Sequence, residues 1–220
     1  MNSTQSRLPL AGVVFAAVLI VHAAVGGSAV PTQSAPAADI LAYVSDKQAE
    51  LQWGAYLQGI AMIALLVFVS SFVQVAGQAR DRTTGGIAAV PLAGAVALVA
   101  LLGVHIGLLT TLALQADAGI EAATVEALWV LAFLILGLSS FSAAAMMGGL
   151  GVLILGSADL PKPLGVVALI NAGMWLVAGM AGASTASVWG YAGFAAFATW
   201  LLWTGVAGVL AARVRVGVAS

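Results

Sequence analysis

The two imidazoles of the chain, His22 and His105, each lie inside a long apolar run. Ionisable side chains are costly in such surroundings and are functional candidates by default. His105 sits in LLGVHIGLLT, within a stretch that carries no charge from Thr83 to Gln115. Two imidazoles on separate helices could ligate haem b axially, or hold a copper or zinc ion if further ligands came from elsewhere. Counted at 1.5 Å per residue from the middle of each run, His22 lies roughly 7 Å and His105 roughly 4 to 6 Å towards the same outer side. The pair can therefore face each other. Against a cofactor, Lys47 is the one basic residue on that side for haem propionates, the outer segments are acidic, and neither histidine belongs to a haem or metal spacing. The favoured reading of each is a neutral ring hydrogen-bonded to a neighbouring helix.

A second polar set is thin. Ser139, Ser140 and Ser142 fall in one apolar run, and Asn171 falls beside Met174 and Trp175 in the next; Thr199, Gln58, Thr110 and Thr111 complete it. Asn171, Trp175 and the three serines could line a small site for an apolar ligand, or the midplane path of a neutral-solute transporter. Such groups more commonly bond one helix to another. No carboxylate lies within the apolar runs, which argues against proton-coupled antiport through Asp or Glu. The chain has no HExxH, nucleophile elbow or phosphate loop, so the reading leans away from an enzyme. Without cysteine there are no disulfides, thiolate metal sites or iron-sulfur clusters. Asp117, Glu121 and Glu126 read as a polar rim rather than a cation site.

The elements that must position these residues follow from composition. Of 220 residues, 62% are hydrophobic and 7% charged, where a soluble domain carries about 25% charged residues. The chain is therefore an integral protein of the lipid bilayer, and its charge clusters are loops. Net charge is -1, with no basic run suited to nucleic acid. At about 20 residues per crossing, the uncharged runs give six passes in one transmembrane domain, 1–220. These lie at about 8–26, 51–75, 88–114, 127–155, 163–182 and 188–212. The fourth, roughly 43 Å long at 1.5 Å per residue, must tilt or break near Ser139 to Ser142 or at Gly148 and Gly149. GASTAS, residues 182–187, suits a turn between the last two.

Cytoplasmic loops carry the excess of Lys and Arg. With the N-terminus inside, Arg7, Arg80, Arg82, Lys162, Arg213 and Arg215 are all cytoplasmic and Lys47 alone is outside. This predicts a multi-pass membrane protein with both termini in the cytoplasm. The Arg, apolar stretch and GGSA of the N-terminus resemble a secretory signal, but the stretch exceeds a signal core and the charge count works best if it stays.

Two outer segments share a plan. In residues 35–59, Ile40, Leu41 and Val44 stand at helical spacing opposite Asp39, Ser45 and Asp46, which predicts a short amphipathic helix lying on the membrane. Residues 116–134 repeat an acidic start, and Glu126 precedes Trp129 as Glu50 precedes Trp53. Trp53, Trp129 and Trp189 open the outward-to-inward passes and predict one interfacial belt. ILAYVSDKQAELQWGAYLQGIAMIALLVFV, residues 40–69, and TVEALWVLAFLILGL, residues 124–138, resemble a family of small multi-pass membrane proteins of unknown function from high-GC bacteria. That resemblance implies a six-helix bundle and carries over no catalytic residue.

Gly103 and Gly107 form a GxxxG with His105 turned off its ridge, and Gly173, Gly179 and Gly182 give a similar face. These faces predict close packing with a partner protein or a second copy. The fold class expected is thus all-α, a bundle of six transmembrane helices with two short amphipathic helices outside. The function expected is a non-enzymatic module that packs with partners or holds an apolar ligand.

Overall fold

A computed structural model describes residues 7–25, 30–77, 85–116, 118–184 and 186–219. Among these the chain is helical and has no strand. A 3-10 turn, Leu8–Leu10, leads into α1, Ala11–Val25. There follow α2, Ala37–Asp46; α3, Gln48–Gly77; α4, Gly85–Gln115; α5, Ala122–Gly156; α6, Lys162–Ser184; and α7, Ala186–Ala219. Helices α3 to α7 are long and apolar enough to cross a membrane, while the apolar helix Leu8–Ala23 is shorter. With almost no hydrophobic contrast around their circumference, these helices are sorted by shape rather than by an apolar stripe.

The shape-sorting is visible at the glycines. A Cβ on Gly94 of α4 would lie 2.6 Å from the Met146 amide nitrogen of α5, and one on Gly149 of α5 would lie 2.6 Å from Pro91 Cδ of α4. Gly151 receives Leu169 of α6 and Gly12 of α1 receives Phe68 of α3. Neighbours pack in the order α1, α3, α4, α5, α6, α7 and back to α1, a closed up-and-down ring. Phe68, Phe72 and Trp203 fill its centre with mutual ring contacts at 5.4 to 6.2 Å. Lys162 seals the α5–α6 corner by donating to the carbonyls of Leu155 and Ser157, which α5 leaves unpaired at its end.

Alternation of direction puts Arg7, Lys162 and Arg213 at one end of the ring. Lys47 falls at the other, with Asp39, Asp46, Glu50, Glu121 and Glu126. Helix α2 covers this second end. Pro36 starts it, Asp39 lies in its first turn, and Glu126 Oε1 accepts from the Ala37 amide at 3.2 Å. Ile40 and Val44 are fully buried against Leu112, Val125 and Trp129. The apolar face of this helix, expected to lie on lipid, is instead covered by the ends of α4 and α5.

Other expectations are corrected too. Residues 116–134 yield no separate outer helix among the described residues; a turn with Gly119 at φ 74° leads directly into α5. Of the two alternatives for α5, tilt or break, the helix runs continuously through Ser139 to Ser142 and Gly148 to Gly149, with Pro91 of α4 packed on Gly149. Trp53 is 67% exposed but Trp129 only 1%, so the two do not share a lipid-facing belt. Gly179 is filled by the Phe141 ring whereas Gly173 meets open space, so these glycines do not act as one face. Gly26 to Ala29, Arg80, Asp81, Arg82, Asp117 and Thr185, the surroundings of Gly182, and the side chains of Trp189 and Arg215 lie outside what is described.

Candidate functional site

A cavity of about 250 Å³ opens beneath α2. Helix α1 contributes His22, and α3 contributes Glu50, Leu51, Gly54, Ala55 and Gln58. Helix α4 adds His105, Ile106, Leu109 and Thr110, and α5 adds Trp129, Phe133 and Leu136. Tyr43 and Lys47 reach in from α2 and its junction with α3. The two histidines, chosen in sequence for their depth, thus line a single space. That follows from the ring order, in which α3 lies between α1 and α4.

Each imidazole is seated differently. His22 is half-buried and packs on Gly54, where an added Cβ would lie 2.9 Å from its Cε1. His105 is 7% exposed, and its Nδ1 stands 2.8 Å from the Ala132 carbonyl oxygen of α5. A carbonyl only accepts, so Nδ1 carries the proton and donates. Phe133 stands edge-on to His105 at 6.3 Å, Trp129 meets Phe133 at 5.1 Å, and Tyr43 meets Trp129 at 6.0 Å. Four rings therefore form one wall of the cavity.

The mouth is polar. Lys47 Nζ donates to Glu50 Oε1 at 3.0 Å, with Asp46 at 3.6 Å. The Glu50 hydrogen bond and charge hold the Lys47 ammonium above its ordinary range. Above the aromatic wall, Trp129 Nε1 donates to Thr32 O at 3.1 Å, and Gln48 Nε2 donates to Ala113 O at 3.1 Å. These bonds fasten α2 and its flanks over the cavity. Gly54, Tyr43 and Phe133 carried no functional signal in the sequence. A glycine under an imidazole is visible only once α1 and α3 are placed side by side.

The second polar set lies elsewhere. Asn171 is fully buried and its Nδ2 donates to Ala196 O of α7 at 2.8 Å. Trp175, one turn on, packs against Trp200 at 5.7 Å. Ser139 donates to Leu136 O of its own helix. Gly148 stands opposite Ala172, so Ser140 is about nine residues, roughly 14 Å, from the level of Asn171. None of Asn171, Trp175, Ser139, Ser140 and Ser142 borders the cavity that holds the histidines. Asn171→Leu is expected to change bundle stability by about 1 kcal/mol or less, since an interhelical bond of this kind contributes about 0.6 kcal/mol. Thermal unfolding in detergent checks this, and a loss of several kcal/mol would show a larger role.

Among the described residues no three His, Asp or Glu side chains converge as metal ligands. A bis-imidazole cofactor would need only His22 and His105, and the Nδ1–H bond to Ala132 is of the kind that orients a ligating histidine. Lys47, the one cation at this end among the described residues, is already engaged by Glu50. Comparison with protein families, with curated proteins and with solved structures finds no match to this chain.

Proposed function

We propose that the protein is a six-pass, non-enzymatic module of the bacterial plasma membrane that holds a small, largely apolar ligand in the cavity beneath α2. The supporting observation is the shared cavity itself, in which two imidazoles from α1 and α4 meet aromatic and aliphatic walls. Sites for small ligands are built in this way, largely apolar with a few polar groups that fix orientation. The six-pass reading draws on α1, which closes the ring between α3 and α7. Arg7, Lys162 and Arg213 at the end opposite α2 favour cytoplasmic termini and an outward-facing cavity.

Ala55 lines the cavity from α3. Ala55→Trp is expected to fill it. Native mass spectrometry of the wild type should then show a bound small molecule or lipid that the variant has lost. A wild type that carries nothing would refute the reading. An absorption spectrum of the same sample distinguishes haem b, which would give a Soret band dependent on His22 and His105.

A second reading is packing with a partner or a second copy along α4. Gly103 and Gly107 meet open space, and α4 is 22% buried within the bundle where the other four long spans are 44–50% buried. Small residues that let backbones approach are the usual seam between membrane helices. Gly107→Leu should lower the apparent mass in size-exclusion light scattering if that seam is used.

A further inference from the structure

We infer that the ligand of this cavity is a neutral hydroxyarene, a flat aromatic ring whose hydroxyl donates to His105 Nε2. This rests on the cavity reading above and names the chemistry of its occupant. The direction of the hydrogen bond is fixed by the protein. His105 Nδ1 gives its proton to the Ala132 carbonyl at 2.8 Å, so in the neutral ring Nε2 is an acceptor. An acceptor at the wall selects a ligand with an O–H or N–H, and a ligand with only a carbonyl or ether oxygen leaves it unpaired.

His22, Tyr43, Gln58 and Thr110 also line the cavity and carry N–H or O–H groups, and a hydroxyl suits both polarities, since its oxygen accepts from such a group while its hydrogen is given to His105. Trp129 spends its N–H on Thr32 O, outside the cavity, and Lys47 is drawn to Glu50 and Asp46 at the mouth. The body of the ligand follows from the wall. Tyr43, Trp129, Phe133 and His105 line one side, with successive ring centroids 5.1 to 6.3 Å apart. Such rings favour an aromatic partner in offset or edge-on contact over a flexible alkyl chain. Ile106, Leu109 and Leu136 complete the site with aliphatic surface suited to a short apolar substituent. Alkylphenols and lipid-soluble quinols share this chemistry.

The test uses para-butylphenol and its methyl ether, titrated by calorimetry into the full chain in detergent micelles. The two share ring and chain, and only the phenol can donate. The phenol is expected to bind about tenfold more tightly, the worth of one buried hydrogen bond whose partner is otherwise orphaned. In His105→Phe, which keeps a ring and removes the acceptor, that preference should fall to about parity. Equal binding of both probes to the wild type would overturn the hydroxyl assignment while leaving the cavity reading intact. Binding of neither would overturn the cavity reading and this inference together. A preference that survives in His105→Phe would transfer the acceptor role to Glu50, Gln58 or Thr110 and refute the assignment to His105. If His105→Phe does not fold, the wild-type comparison alone decides the hydroxyl class.

Discussion

Gly94→Ala and Gly149→Ala are each expected to lower the thermal unfolding midpoint of the detergent-solubilised protein steeply, whereas Gly103→Ala and Gly107→Ala leave it nearly unchanged. The added methyl is the same at all four positions, and three of them are on α4. At Gly94 it would lie 2.6 Å from the Met146 amide nitrogen and 2.9 Å from the Ser142 carbonyl oxygen. At Gly149 it would lie 2.6 Å from Pro91 Cδ and 2.9 Å from Pro91 N. These neighbours are backbone and a rigid ring, so no rotamer change relieves the clash and α4 must move off α5. Overpacking costs typically about 1 to 3 kcal/mol, and rigid neighbours place these sites at or above the top of that range. Gly103 and Gly107 have nothing within 4 Å, and there alanine gains the roughly 0.5 to 1 kcal/mol that glycine forfeits inside a helix. Similar midpoints for Gly94→Ala and Gly103→Ala would show that the α4–α5 contact is looser than described. A Gly103 variant that stays folded but changes its apparent mass would favour the packing seam on α4.

The all-helical class was legible because a membrane interior admits few alternatives for an uncharged run. The uncharged run from Thr83 to Gln115 was read as a pass at about 88–114, and α4 spans Gly85–Gln115. Helix α2 was legible as well, from the spacing of Ile40, Leu41 and Val44 opposite Asp39, Ser45 and Asp46. Its partner was not. An amphipathic face can be satisfied by lipid or by protein, and Leu112, Val125 and Trp129 come from segments far along the chain. Trp129 was misread for the same reason: an indole near the end of a span looks interfacial until another helix is laid over it. Counting residues gave the two histidines a common depth, but depth says nothing about azimuth. Whether they share a space depends on α3 lying between α1 and α4, and on which of 26 glycines sits beneath an imidazole. The serines and Asn171 show the converse. Their similar apparent depth in sequence does not survive the register of α5 on α6, set by Gly148 and Gly151.

Trp129→Ala is expected to release α2 while the six-helix ring persists. The indole is 1% exposed and stands beneath α2, against Tyr43 on one side and Phe133 on the other. Truncating a buried tryptophan to alanine costs about 3 to 5 kcal/mol, and here the Nε1 bond to Thr32 O is lost as well. Most of that cost falls on the docking of α2, which otherwise rests on Ala37, Ile40 and Val44, the Glu126 bond to Ala37 and the Gln48 bond to Ala113. An element held by so few contacts opens at less cost than the whole bundle, so the loss is read as local opening rather than global unfolding. Lys47 at the α2–α3 junction gives the readout. Trypsin should cleave there in Trp129→Ala much faster than in the wild type, with the ring helices still protected. Trp129→Phe keeps a ring against Tyr43 and Phe133 and gives up chiefly the N–H bond, so its cleavage should lie close to the wild type, consistent with about 1 kcal/mol. Because α2 and Trp129 close the cavity, the alanine variant should also lose whatever the wild type binds there, whereas unchanged cleavage at Lys47 would mean that α2 is held by something other than this indole.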